Sequence, residues 1–386
     1  MALSTSRSGL RFTHLTLRNW RNFSACDVQL GPRAFLVGPN ASGKSNLLDV
    51  FRFLHDIVSV GGGLQKAVRD RGGVSSLRSL HARRHPGVSI DVVIGTDERP
   101  QSWRYRLDIN KRSRNDDAVV EVERVWRNGT LVIERPNKED QRDRQRLSQT
   151  VIEQIAANAD FREVAAFFQS VRYLHVSPQF IRDPLRATRS ADAYGGDLIR
   201  VMAETPEKTR KARLKRIEQG LQIAVPQIGE IQIDRDAQGV PHIKAKYRHW
   251  RPQGAWQNEE RFSDGTLRLL GLLWALQEPG GPLLLEEPEL SLHPAVTRLL
   301  PTVFARVQRR GGQILMTTQS DALLMDEGIG LDEVFLMVPR DEGTEIVAAS
   351  SLSGIRDLLT GGSSLPEVIL PHTAPRDVRQ LSLLDL

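Results

Sequence analysis

Apolar and polar residues alternate over residues 11–37, with many β-branched and aromatic side chains and a turn at Leu30-Gly31-Pro32-Arg33. This pattern predicts two or three strands. The last, Ala34-Phe35-Leu36-Val37, is wholly apolar, and an amphipathic helix from Asn46 to Leu54 lies just beyond it. After a glycine-rich break at 61–63 and 72–73, alternation returns over Val88–Gly95, Trp103–Ile109, Val119–Arg127 and Leu131–Ile133. Asn128-Gly129 is a tight-hairpin signal, so this stretch predicts an antiparallel meander. Residues 136–150 are dense in charge and are expected to be exposed. The stripe Ile152, Ile155, Ala156, Ala159, Val164, Phe167 and Phe168 predicts a helix over Gln149–Gln169, with a buried strand at Val171–Val176 after it. Ala193–Gln222 reads as polar helix broken at Pro206, and Ile228–Asp234 with Ile243–Tyr247 as a second hairpin. From Phe262 the pattern turns α/β: helix Thr266–Gln277, strand Leu283–Glu286, helix Pro294–Arg309, and strands Gln313–Thr317 and Glu333–Val338. The segment from Gly361, rich in Ser, Pro and Gly, is expected to attach loosely.

Between the apolar strand and its helix, residues 38–45 read Gly-Pro-Asn-Ala-Ser-Gly-Lys-Ser, fitting G-x-x-x-x-G-K-[ST]. A polyanion needs backbone N–H groups turned towards it, and glycine lets the chain curl that tightly. Gly38 and Gly43 supply those positions, with Pro39, Asn40, Ala41, Ser42 and Asn46 completing the cradle. Lys44 is placed to reach the β- and γ-phosphates, the Ser45 hydroxyl to bind Mg²⁺, and the helix N-terminus points at the phosphates. The motif, set between strand and helix, predicts binding of ATP or another nucleoside triphosphate with Mg²⁺.

Far downstream, Pro282-Leu283-Leu284-Leu285-Glu286-Glu287-Pro288-Glu289 is an apolar strand ending in carboxylates. P-loop enzymes place a metal anchor and a water-activating base at such a strand end. Glu286 is expected to hold the metal through a water and Glu287 to polarise the attacking water. Upstream, Ser263-Asp264-Gly265-Thr266 precedes an apolar helix. It reads either as a second phosphate site, which cannot serve an already filled P-loop, or as a plain N-cap by Ser263 or Asp264.

In order and spacing these elements resemble the heads of ABC-type ATPases, most nearly the RecF/SMC branch and its OLD-like relatives, ATPases often assigned to the AAA family. The resemblance takes in Leu15–Phe23, similar to that branch's first strand, and Glu286–Pro294. It implies that Arg21 and Asn22 lie near the nucleotide and that Ser291–His293 form a loop crossing a dimer interface. It also implies that Gln179 reaches the metal, and that Ser263 and Gly265 cap the γ-phosphate bound by a second subunit, a homodimer with ATP sandwiched between its halves. The chain departs from the pattern with Glu286 where an aspartate is usual, Asp264 where many members carry glycine, and Gln319 where a histidine contacts the γ-phosphate. Glutamine donates a hydrogen bond but cannot become cationic, so slow catalysis or a switch resting on ATP binding is expected. OLD proteins carry a Toprim nuclease, but no Asp-x-Asp pair follows Ser320, so no intrinsic nuclease is expected.

Composition narrows the partners. Hydrophobic content of 40% and charged content of 26% describe a water-soluble globular protein. Lys and Arg number 53 against 47 acidic residues, a net charge of +6. The basic clusters Arg69–Arg84, Arg104–Arg114, Arg142–Arg146 and Lys208–Arg216 are each either a solvated face or part of a footprint for a polyanion such as duplex DNA. Cys26 stands alone, excluding an internal disulfide or a cysteine zinc site. The longest apolar run, Leu269–Leu276, is too short to span a membrane, and no secretory signal opens the chain, so a cytoplasmic location without membrane contact is expected.

The expected architecture is an α/β P-loop NTPase of ABC-ATPase type with an N-terminal antiparallel β subdomain and an inserted, mostly helical lobe. Residues 1–178 would form the N-terminal ATPase lobe, 179–261 the inserted lobe, 262–350 the closing part of the core, and 351–386 a C-terminal tail. The expected activity is ATP hydrolysis driving a dimerisation switch on DNA or on a separate nuclease or effector, in bacterial DNA repair or anti-phage defence. The alternative is an ATP-dependent scaffold that recruits a protein with little DNA binding.

Overall fold

A computed structural model describes residues 9–82, 87–111, 117–184, 194–248, 255–308 and 311–374. The basic residues expected at 83–84 and 112–114, the helix end at Arg309 and the last twelve residues of the expected tail lie outside the described residues.

The chain opens with a hairpin, β1 (Arg11–Trp20) and β2 (Phe23–Gln29), and β3 (Arg33–Val37) leads into α1 (Lys44–Val58). Short helices α2 (Leu64–Arg69) and α3 (Val74–Leu77) precede the meander β4 (Val88–Gly95), β5 (Trp103–Lys111), β6 (Ala118–Arg127) and β7 (Thr130–Arg135). Helices α4 (Lys138–Arg142) and α5 (Arg162–Gln169), strand β8 (Arg172–Leu174) and helix α6 (Pro178–Ile181) follow. A lobe of α7 (Leu198–Glu204), α8 (Glu207–Ala224), β9 (Ile228–Arg235), β10 (Pro241–Tyr247) and β11 (Ala255–Asn258) comes next. The chain then runs through α9 (Asp264–Ala275), β12 (Leu283–Glu286), α10 (Pro294–Thr297), α11 (Leu300–Gln308), β13 (Ile314–Thr318) and α12 (Asp321–Leu324). It closes with β14 (Val334–Arg340), β15 (Gly343–Ala348), α13 (Ile355–Thr360) and α14 (Leu365–Ile369).

Three sheets result, in orders β2-β1-β4-β5-β6-β7, β11-β10-β9 and β15-β14-β3-β13-β12-β8. The third is parallel apart from β15. Every residue of β3 is buried, because the strand lies inside this sheet with both faces covered. Ala34 and Leu36 face the cluster shared with α1 and the antiparallel sheet, whereas Phe35 and Val37 face the cluster formed with α11 to α14. The buried Gln313 side chain stitches the two large sheets together. It accepts the Phe12 N–H (2.9 Å) and donates to the carbonyls of Phe12 (2.7 Å) and Gly31 (2.8 Å).

Several local expectations give way to tertiary demands. Helix α5 covers only the end of the stretch expected from Gln149; residues 150–158 are turns. The N–H groups of Val151 and Ile152 are drawn to the buried Glu123 carboxylate (2.7 and 3.2 Å), which removes them from any helical ladder. The charged 136–150 stretch is anchored rather than wholly exposed, since Asp140, Leu147 and Thr150 are buried. The helix expected from Pro294 divides into α10 and α11, because Pro301 has no N–H to carry the ladder across. The inserted lobe carries a three-stranded sheet beside its helices. Residues 355–373 dock through Ile355, Val368 and Ile369 on the core.

Glu123, Arg135 and Asp140 form a buried ionic cluster at the outer end of the meander. Arg135 contacts Glu123 at 3.1 Å and Asp140 at 2.9 Å. Burial works to raise Asp140, but Arg135 and the Asn137 N–H outweigh it and hold this carboxyl down at about 2. Replacing Arg135 with Leu leaves the buried Glu123 without its cation and Asp140 with Arg146 alone (3.3 Å), and urea unfolding is expected to show a loss of about 3–5 kcal/mol.

Candidate functional site

The loop from β3 to α1 is shaped by backbone positions open to few residues. Ala41 (φ 61°) and Gly43 (φ 91°) are left-handed, and a Cβ on Gly38 would lie 2.7 Å from the Met337 carbonyl oxygen. No side chain caps α1, so its first N–H groups are left for a ligand. Lys44 Nζ donates to the carbonyls of Gly38 (2.7 Å) and Pro39 (3.0 Å). Burial lowers the Lys44 pKa against the opposing pull of Glu287, Glu286 and Glu289. The loop is braced from β1 and β2: Asn22 Nδ2 donates to the Ala41 carbonyl (3.2 Å) and Asn46 to the Asn22 side chain. Arg21 reaches Asn46 (3.3 Å) and Asp49 (3.0 Å), and Thr344 Oγ1 donates to the Ser42 carbonyl (2.8 Å).

Parallel pairing brings two further strand ends to this loop. Thr318 pairs with Val37, and Glu286 with Thr317, so β13 and β12 finish beside the P-loop. The Ser45 hydroxyl donates directly to Glu286. Glu287 has φ 42°, held by its N–H to Thr317 Oγ1 (3.1 Å). Gln319 Nε2 donates to Asn40 Oδ1 (2.8 Å) and to Glu287 Oε1 (2.8 Å), tying strand end, acid and P-loop tip together. Buried Glu289, whose pKa is raised by desolvation, accepts from Thr318 Oγ1 (2.5 Å).

Two residues not singled out in the sequence join this group. Tyr173 donates its phenol to Glu286, and His175 Nδ1 lies 3.8 Å from the same carboxylate. Gln179, expected at the metal, lies exposed on the first turn of α6 and makes no hydrogen bond to Glu286 or Ser45 among the described residues. The signal that could have found the pair is the parity of β8: Tyr173 and His175 alternate with Leu174, and only pairing with β12 sets which face they share. From Ser45 and Glu286 a groove of about 1170 Å³ runs along α1, lined by Arg21, Asp49, Arg52, Asp56 and Arg71.

Ser263 and Gly265 are not joined to the P-loop by a hydrogen bond among the described residues. Ser263 caps α9 by accepting the Thr266 N–H (3.2 Å), the plain N-cap geometry. A Cβ on Gly265 would lie 2.5 Å from the Ser291 carbonyl oxygen, so α9 rests directly on the loop after Glu289. Ser291 itself is left-handed (φ 61°). The approach to α9 is held by Glu259, which is buried and bonded to His242 Nδ1 (2.6 Å) and the Ile243 N–H (3.0 Å).

The basic clusters differ in their pairing. Arg104 meets Asp91 (2.6 Å), Arg106 meets Asp108 (2.7 Å) and Arg146 meets Glu139 (2.8 Å), whereas on α8 Lys208, Lys215 and Arg216 are exposed.

The donors fit a magnesium-bound triphosphate. A serine hydroxyl beside a carboxylate is a hard oxygen set of the kind Mg²⁺ shares with phosphates, and the P-loop offers glycine-shaped N–H groups and an ammonium.

A P-loop after β3, an acidic end on β12 and a lobe inserted before α9 give the chain the fold of an ABC-type ATPase head. The chain belongs to the family described as "AAA domain, putative AbiEii toxin, Type IV TA system", which matches residues 33–326. Among solved structures it is similar to an Smc head bound to the C-winged helix domain of ScpA (TM-score 0.56, 15% identity, 90% of this chain and 99% of that one). It is also similar to the Smc head of Pyrococcus furiosus with an extended coiled coil, bound to the C-terminal domain of ScpA (0.55, 12%, 91% and 100%). The Smc head of Pyrococcus yayanosii with a coiled coil and joint matches at 0.50, with 11% identity over 88% of this chain and 97% of that one. At these identities the likeness concerns the fold. No curated protein matches the chain. No described helix is long and apolar enough to cross a membrane.

Two outcomes follow from the α9 region. Gly265→Ala must push α9 off Ser291, and a loss of about 1–3 kcal/mol is expected in chemical denaturation. Burial alone would lower the His242 pKa, but its bonds to Glu259 and Asp236 outweigh burial and raise it. A raised histidine stabilises fully below its unfolded value near pH 6.5, and that contribution fades as pH rises through the folded value. Melting temperature should therefore fall with rising pH over this window, and His242→Gln should flatten the fall.

Proposed function

We propose that this chain hydrolyses ATP and works as a nucleotide-driven dimerisation switch on duplex DNA or on a separate nuclease or effector. The observation that carries the proposal is the Asn40–Gln319–Glu287 bridge, which suspends a carboxylate over the tip of the P-loop. In this reading Lys44 leaves the carbonyls of Gly38 and Pro39 for the β- and γ-phosphates, and backbone N–H groups from Gly38 to Ser45 hold their oxygens. Ser45 and Glu286 would hold Mg²⁺, which draws charge from the phosphate oxygens when bound. Glu287 orients a water and takes its proton as the new P–O bond forms and the γ-phosphorus separates from the ADP oxygen. Gln319 steadies Glu287 and the γ-phosphate by hydrogen bonding alone, consistent with slow turnover. Arg21 and Asn22 brace the loop from the nucleotide side. Ser263 and Gly265 would serve the P-loop of a second copy, giving a two-fold dimer with two buried nucleotides. Residues 1–178 and 262–350 would then form the ATPase core, 179–261 the lobe that presents the signature, and 351–386 a flanking tail. A role in DNA repair or anti-phage defence suits a compact switch of this kind.

A scaffold that recruits a protein is the second reading. It is favoured by the carboxylate pairing of most described basic clusters, and by the Smc heads that carry a ScpA domain in their crystal structures.

Glu287→Gln is expected to lower steady-state ATP hydrolysis by about 100-fold or more and to accumulate a dimer with MgATP in light scattering. A variant that stays monomeric at saturating MgATP would sink the switch. Stimulation of the native protein by duplex DNA that fades with salt supports the DNA-linked form, and a rate indifferent to DNA supports the scaffold.

A further inference from the structure

Glu286 is one methylene longer than the aspartate usual at its position, and its carboxylate is held from two sides. One oxygen accepts from Ser45 at the start of α1, the other from the phenol of Tyr173 on β8. The phenol arrives there by strand register. Tyr173 pairs with Leu284 in the parallel ladder, so Glu286, two residues on, lies on the same face of the sheet and diagonally across from it. Leu284 and Tyr173 both pack on the α1 side of the sheet. The ring is fixed from above as well: the Arg52 guanidinium lies 5.0 Å from its centroid, on the α1 face that also carries Ser45 and Asp49. His175 Nδ1, at 3.8 Å, is too far to make the same hydrogen bond. The phenol is the only hydrogen-bond donor to that oxygen among the described residues.

We infer that Tyr173 is a positioning residue for the metal-holding carboxylate, and that it and Glu286 work as a matched pair. This inference rests on the reading of the site as one for MgATP. A glutamate carboxylate swings about one more bond than an aspartate does, and a freely swinging ligand would lose rotamer entropy on coordinating. The phenol removes that freedom beforehand by occupying the oxygen directed away from Ser45. The oxygen directed towards Ser45 is left to face the cation. A partner of this kind, which touches the ligand and not the metal, commonly changes metal affinity by about 10–100-fold when removed. Tyr173→Phe takes away only the hydroxyl and keeps the ring under Arg52.

The test is binding of a ribose-labelled fluorescent ATP analogue, titrated with Mg²⁺ and repeated in excess EDTA, for native protein, Tyr173→Phe, Glu286→Asp and the double variant. Tyr173→Phe should raise the Mg²⁺ midpoint about 10-fold while leaving metal-free nucleotide affinity and melting temperature unchanged. The same substitution made on Glu286→Asp should cost much less, because the shorter carboxylate no longer reaches the phenol. Mn²⁺ electron paramagnetic resonance on the nucleotide complex gives a second readout, a broader distribution of the metal environment in Tyr173→Phe. An unchanged Mg²⁺ midpoint, an equal loss with and without metal, or strictly additive effects in the double variant would each overturn the pairing. Native protein that binds no nucleotide under either condition would overturn the MgATP reading itself, a result separable from the three above.

Discussion

Adjacent parallel strands end at a common level, and here that constraint assembles the site. The ladder Tyr173–Leu284, Glu286–Thr317 and Thr318–Val37 joins four strands that are scattered between residues 33 and 318 in sequence. It delivers a phosphate loop, a glutamine, two carboxylates and a phenol to one edge. No loop has to be long or finely tuned for this. β3, β12 and β13 need only an apolar stretch buried on both faces and a polar residue at or just past the end, and β8 only its register against β12. A one-residue slip of β8 against β12 would send Tyr173 to the opposite face, towards α9.

The groups that meet at this edge are mutually engaged. Lys44 donates to carbonyls of its own loop, Ser45 to Glu286, and Gln319 to both Asn40 and Glu287. Each of these contacts uses an atom that a bound triphosphate and its cation would claim. The site is thus a set of internal hydrogen bonds that the proposed binding of MgATP would exchange for external ones. Such an exchange costs little in enthalpy and leaves the backbone in place. The positive φ values at Ala41, Glu287 and Ser291 mark where the chain is held in one arrangement, in the P-loop, at the β12 end and in the loop under α9.

Much of this was legible in the chain, for identifiable reasons. Gly38 to Ser45 carries its own chemistry, since glycine spacing, lysine and hydroxyl act within one short loop. Glu286 and Glu287 follow an apolar run whose length and polarity announce a strand end. The meander was readable because alternation and Asn128-Gly129 are local signals. Tyr173 and His175 were not readable, because their importance lies in the pairing of β8 with a strand more than a hundred residues away. Residues 150–158 misled for a related reason: Val151 and Ile152 are buried with their N–H groups on Glu123, while Ile155 and Ala156 of the apparent stripe are exposed. Gln179 was placed by likeness to a family pattern, and it lies exposed on α6.

The Gln313 side chain has a consequence for how the molecule comes apart. Its amide behaves as a borrowed peptide group, donating and accepting across to Phe12 and Gly31 as a neighbouring strand would. The antiparallel sheet and the phosphate-binding sheet also share one continuous hydrophobic cluster. The subdomain boundary that topology draws between them is therefore not a thermodynamic one. The two sheets are expected to open as a single cooperative unit, and the least protected seam to lie elsewhere, where the lobe shares a distinct cluster with α9.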